Sequence, residues 1–151
     1  MTDAQSQDRQ QWMGILARAE ETSLAQLVAG LDDLPEHDFL RRPESGLVMV
    51  RGRAGGSGKA FNLGEMTVTR CTVRTEDGTL GHAYVAGRRP DHAARAALTD
   101  ALLQHKTRRD EIMRRVIVPL EQEETARCET KQAESADTRV DFFTLVRGEN
   151  E

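Results

Sequence analysis

Aromatic residues make up only 4% of this 151-residue chain, and a single tryptophan and a single tyrosine are present. That scarcity disfavours the interleaved stacking platforms by which proteins hold single-stranded nucleic acid, since the expected strands lack interleaved exposed aromatics apart from Tyr84. Formal charge is −4, so there is no global basic field to draw nucleic acid or anionic lipid. No run approaches the roughly 18 apolar residues of a membrane span. The opening, MTDAQSQDRQQW, lacks the cationic start and apolar stretch of a secretory signal. Two cysteines, Cys71 and Cys128, stand far apart with no CxxC or Cys/His spacing. They read as reduced thiols of a cytoplasmic protein. Hydrophobic residues, at 38%, fall below the ~45–50% of an ordinary globular chain. One weakly cored domain is therefore expected.

Catalytic motifs are missing as well. His37, His82, His92 and His105 show no metal-ligand spacing, and no GxSxG elbow appears. His82 and Tyr84 share a strand face, where a structural histidine is the favoured reading. Asp32-Asp33 and Glu121 to Glu124 read as solvated charge, not as a general acid/base pair. Arg51 to Lys59 (RGRAGGSGK) resembles a phosphate loop only superficially. Arg53 stands where the first glycine of the motif belongs, and Ala60 follows Lys59 in place of Ser or Thr. A glycine-rich hairpin tip is favoured for Gly55, Gly56, Ser57 and Gly58; contact with an anion or a subunit is the alternative. Arg51 and Arg53, and likewise Arg70 and Arg74, have the spacing of one strand face. Guanidinium forks there suit phosphate or carboxylate, and a solvated sheet face explains them equally well.

The residues that are present indicate an α+β fold: a small antiparallel sheet of three to four strands, N-terminal helices and a longer C-terminal helical arm. Residues 1–31 read as helical, with Trp12, Ile15, Leu16 and Ala19 forming one stripe. Ser23 and Gln26 have capping-box spacing, which starts a second helix at Ser23, and Gly30 suits a left-handed cap. Residues 37–87 carry the sheet: Leu47–Arg53, Met66–Thr75 and Thr79–Val85, with His37–Arg41 as a fourth, edge strand. Asp77-Gly78 supplies the left-handed residues of a tight turn between the last two. Residues 90–137 are helical. Pro90 opens the first helix, and Ala94, Ala97, Leu98, Ala101 and Leu102 line it. Pro119 should break or bend any helix that runs through it. Glu121 to Ala136 reads as a solvated arm.

Residues 138–151 form a separate docking segment. Phe142, Phe143, Leu145 and Val146 lie behind a polar connector and need cover from this domain or from a partner. Trp12 near the other end is assigned with them to partner docking.

Three segments carry a resemblance: Gly46–Arg70 (GLVMVRGRAGGSGKAFNLGEMTVTR), Asp77–Ala93 (DGTLGHAYVAGRRPDHA) and Val140–Asn150 (VDFFTLVRGEN). In this order and spacing, with Gln10–Ala17 (QQWMGILA), they resemble the PhnG family of carbon–phosphorus lyase subunits. The resemblance implies a subunit that works with PhnH, PhnI and PhnL in displacing adenine from ATP by a phosphonate, within a core complex that also holds PhnJ. It implies ATP with magnesium as a substrate of the complex. It places the iron–sulfur cluster and S-adenosylmethionine on PhnJ, which suits a chain with two isolated cysteines. An accessory subunit is the favoured expectation. Direct anion binding by the glycine tip, Arg70 and Arg74 in a shared site, or an independent nucleotide-binding regulator, are the alternatives.

Overall fold

The computed structural model describes residues 3–137. Helices α1 (Asp3–Arg18) and α2 (Glu21–Ala29) precede a meander of β1 (His37–Arg53), β2 (Ala60–Thr75) and β3 (Leu80–Ala86). Then come α3 (Pro90–Leu103), α4 (Lys106–Ile112), a π-helical stretch (Met113–Ile117) and α5 (Val118–Asp137). The sheet is antiparallel in the order β1-β2-β3. Three strands with helices on the sheet give the expected α+β architecture.

The α1 stripe forms as its spacing requires: Trp12, Ile15, Leu16 and Ala19 are all buried. Their partners are the small residues of α3, where Ala93, Ala96, Ala97 and Ala101 are buried beside Leu98, Leu102 and Leu103. Ile112, Val116, Ile117 and Leu120 close the core from the far side. Each fully buried leucine or isoleucine contributes about 1.5–3 kcal/mol. Helices rather than strands supply most of these large side chains.

In the sheet, Cys71 faces Ala83 and Val73 faces Gly81; all four are buried beneath the helices. The alternate residues Arg70, Thr72, Arg74, His82 and Tyr84 take the opposite face. Gly81 is where backbone meets backbone. A Cβ there would lie 1.9 Å from the Ala97 carbonyl oxygen and 2.9 Å from the Ala101 Cβ. Only glycine opposite alanine permits this approach of β3 to α3.

Several local expectations are corrected. Residue 23 lies inside α2, which starts at Glu21 from the Glu20 cap with no side-chain capping bond. Gly30 ends α2 in a right-handed conformation (φ −81°, ψ −3°), not a left-handed one. His37–Arg41 is not a separate edge strand; it begins β1, and register shifts on both sides of Arg41 bring it into line. Proline and bulges are tolerated there because β1 is an edge. β2 starts at Ala60, well before the β-branched run that begins at Met66. In the β2–β3 turn, Gly78 N–H donates to the Thr75 carbonyl and Thr75 N–H to the Thr79 carbonyl, and only Gly78 has positive φ (86°). Pro119 breaks nothing: the π-helical stretch before it lets Val118 N–H reach the Met113 carbonyl, and the chain remains helical through the proline.

Candidate interaction surface

Beyond the Val68–Ala86 pair, β1 and β2 continue without β3. From Leu47–Thr67 to Arg53–Ala60 they form a two-stranded arm about 23 Å long at the usual strand rise. Leu47, Met49, Phe61, Leu63 and Met66 on this arm are 43–67% exposed. Strand alternation and register divide the arm into two faces. Leu47 and Met49 share one with Thr67, Glu65 and, nearer the tip, Arg51 and Arg53. Val48, Val50 and Met66 occupy the other. A shift after Val50 turns Leu63 onto that second face beside Phe61, both within 4 Å of where a Gly52 Cβ would stand. The second face is apolar throughout.

A short 3-10 turn, Ala54–Gly56, closes the arm, with Gly55 at φ 60°. Arg51, Arg53, Ser57 and Lys59 are at least partly open to solvent here. Arg53 donates only to the Gly58 carbonyl (3.3 Å), and among the described residues no carboxylate reaches Arg51, Arg53 or Lys59. Arg70 and Arg74 lie elsewhere. Arg70 pairs with Glu44 at 3.0 Å and Arg74 with Asp38 at 3.5 Å, across the β1–β2 ladder. Glu44 and Arg51 are separated by about 23 Å along β1 at the usual rise. The structure therefore brings Arg51, Arg53, Gly55, Gly56, Ser57 and Gly58 together and leaves Arg70 and Arg74 in a separate, ion-paired patch.

Trp12, expected on a partner surface, sits in the chain's own core at 4% exposure. Its indole N–H donates to Asp100 Oδ1 (2.9 Å), and the Arg109 guanidinium stacks 4.9 Å from its ring centroid. Phe142, Phe143, Leu145 and Val146 lie outside the described residues.

Sequence reasoning overlooked Asp100, although a lone carboxylate between Thr99 and Ala101 on an alanine-rich helix face is its signal. Asp100 is fully buried and accepts four hydrogen bonds. Arg9 Nε (3.1 Å) and Trp12 donate to Oδ1; Arg9 Nη2 (2.7 Å) and His82 N–H (2.9 Å) donate to Oδ2. One side chain thus ties α1, α3 and β3 together. His92, also fully buried, shares a hydrogen bond between Nε2 and the Leu16 carbonyl (2.7 Å) and leaves Nδ1 unpartnered. Burial holds its pKa below the ordinary imidazole value. Burial also pushes the Cys71 thiol up to about 11, while Cys128 is exposed. Among the described residues no three His, Cys, Asp or Glu side chains gather where they could hold a metal ion. No described helix is long and apolar enough to cross a membrane.

Fold and surface together define a small α+β protein: a core cross-braced by a buried carboxylate, with an arm that is apolar and cationic. Over residues 7–148 the chain matches the family described as phosphonate metabolism protein PhnG. It is 44% identical over 151 residues to the alpha-D-ribose 1-methylphosphonate 5-triphosphate synthase subunit PhnG of Rhizobium meliloti (strain 1021), covering 98% of this chain and 94% of that one. The chain belongs to the PhnG family.

Proposed function

We propose that this chain is an accessory subunit of the assembly that transfers the ribose triphosphate of ATP to a phosphonate with release of adenine. Its partners in this reading are PhnH, PhnI and PhnJ, with PhnL for the transfer step, in the cytoplasm. ATP and magnesium are substrates of the whole, and the iron–sulfur cluster and S-adenosylmethionine belong to PhnJ. The observation that carries the reading is the arm. A two-stranded ribbon is marginal in water by itself, and this one exposes large apolar side chains on both faces. The family match and the name of the Rhizobium relative support the choice of assembly. Phe142, Phe143, Leu145 and Val146 extend the contact surface in this reading.

Affinity capture of the tagged chain from cells growing on methylphosphonate tests it. The other subunits should co-purify, and the chain should restore adenine release to a complex that lacks it while releasing none alone. Adenine release by the purified chain from ATP and methylphosphonate refutes an accessory role.

A second reading rests on the tip cations, which meet no carboxylate among the described residues. Arg51 and Arg53 would contact phosphate in a shared site and stabilise charge without breaking bonds. In that case Arg51→Ala/Arg53→Ala lowers turnover in a complex of normal composition. Loss of the complex instead returns both residues to assembly.

A further inference from the structure

The geometry points to an arm that inserts into a cleft of a partner protein, with apolar walls against both faces and carboxylates at the closed end. This rests on the assembly reading above and specifies the surface that receives the arm.

Two observations fix the shape and the charge of that surface. Exposed apolar side chains lie on both faces: Leu47 and Met49 on one, Phe61, Leu63 and Met66 on the other. A flat surface covers one face and leaves the second in water, so both are satisfied only by enclosure. The charge is graded along the arm. Glu65, paired with Met49 nearer the base, is the arm's one acid; from Ser45 to Gly64 there are Arg51, Arg53 and Lys59 and no acid, all three cations near the tip. The remaining residues hold 25 Asp and Glu against 18 Lys and Arg. A cationic tip on an otherwise acidic chain selects a cleft that is acidic at its end, since buried cations need paired anions. Guanidinium forks are suited to carboxylates in that position. A second arm of the same chain is disfavoured by like charge. An anionic bilayer would satisfy the tip and a single face only.

The test uses the full-length chain in its native assembly, with a photo-reactive phenylalanine analogue placed at Leu47, Leu63 or Arg53, one per protein. All three sites are open to solvent, so the fold tolerates the change. Insertion predicts links from Leu47 and Leu63 to the same partner polypeptide, and from Arg53 to an Asp- or Glu-bearing peptide of it. Arg51→Glu/Arg53→Glu and, separately, Leu63→Ser should each weaken assembly at least tenfold, the former more at low salt than at high. Links from one face only, links to a second copy of this chain, sedimentation with phosphatidylserine vesicles in place of protein links, or unchanged assembly of both variants overturns the inference. A wild-type chain that joins no other polypeptide defeats the assembly reading itself, a different result from an intact complex whose arm links to nothing.

Discussion

Replacing Asp100 by alanine removes the acceptor for four donors at once. Among the described residues the Trp12 indole N–H and the His82 amide lose their only acceptor, and the Arg9 guanidinium, 19% exposed, keeps just the Leu80 carbonyl at 3.3 Å. Breaking a buried pair from one side costs about 3–5 kcal/mol, because the surviving charge remains uncompensated. A domain of this size has about 5–15 kcal/mol in total. At roughly 2–4 °C per kcal/mol, Asp100→Ala should melt about 6–20 °C below the wild type. Asp100→Asn preserves the volume but turns an amide N–H₂ toward donors on one side, so it should lose less than alanine and still more than about 1 kcal/mol. Urea denaturation followed by far-UV circular dichroism measures both. A cycle with Arg9→Met separates the ion pair from the neutral bonds. If Asp100→Ala stays within about 0.5 kcal/mol of wild type, the cross-brace is not what holds α1, α3 and β3 together.

Three other positions carry expectations of their own. Gly81→Ala places a methyl 1.9 Å from the Ala97 carbonyl oxygen, so β3 must lift from α3. A loss of about 1–3 kcal/mol or more in the same denaturation assay is expected, and a neutral outcome would deny the close approach. His92 has a lowered native pKa, so below the unfolded value of about 6.5 the unfolded chain takes up a proton that the native chain refuses. Stability is complete above that pH and falls as pH drops, by up to ~1.4 kcal/mol per unit. His92→Gln should flatten the slope between about pH 6.5 and 5, and an unchanged slope would clear His92 of it. A thiol reagent at neutral pH should label Cys128 quickly and Cys71 only on unfolding, read by peptide mass. Equal labelling of both in the native chain contradicts the burial of Cys71.

The residues alone determined whatever local chemistry dictates. The Trp12–Ala19 stripe, the proline start of α3, its alanine face, the hairpin at Gly78 and the solvated α5 all follow from period, propensity and turn chemistry. The family was legible too, because the segments that resemble it follow one another in the sequence in its order and spacing. Tertiary structure decided the remainder. Trp12 could be read as a docking residue because its acceptor, Asp100, is 88 positions away and no local pattern joins them. Arg51 and Arg70 could be read as one anion site because spacing cannot tell that β1 and β2 outrun β3 and that Glu44 neutralises Arg70. Pro119 reads in sequence as a break or a bend because only the packing of Val116, Ile117 and Leu120 into the core shows why the helix widens by one residue instead of ending. Pairing between distant residues depends on which surfaces meet, and that is a property of the whole packed chain rather than of any window of it.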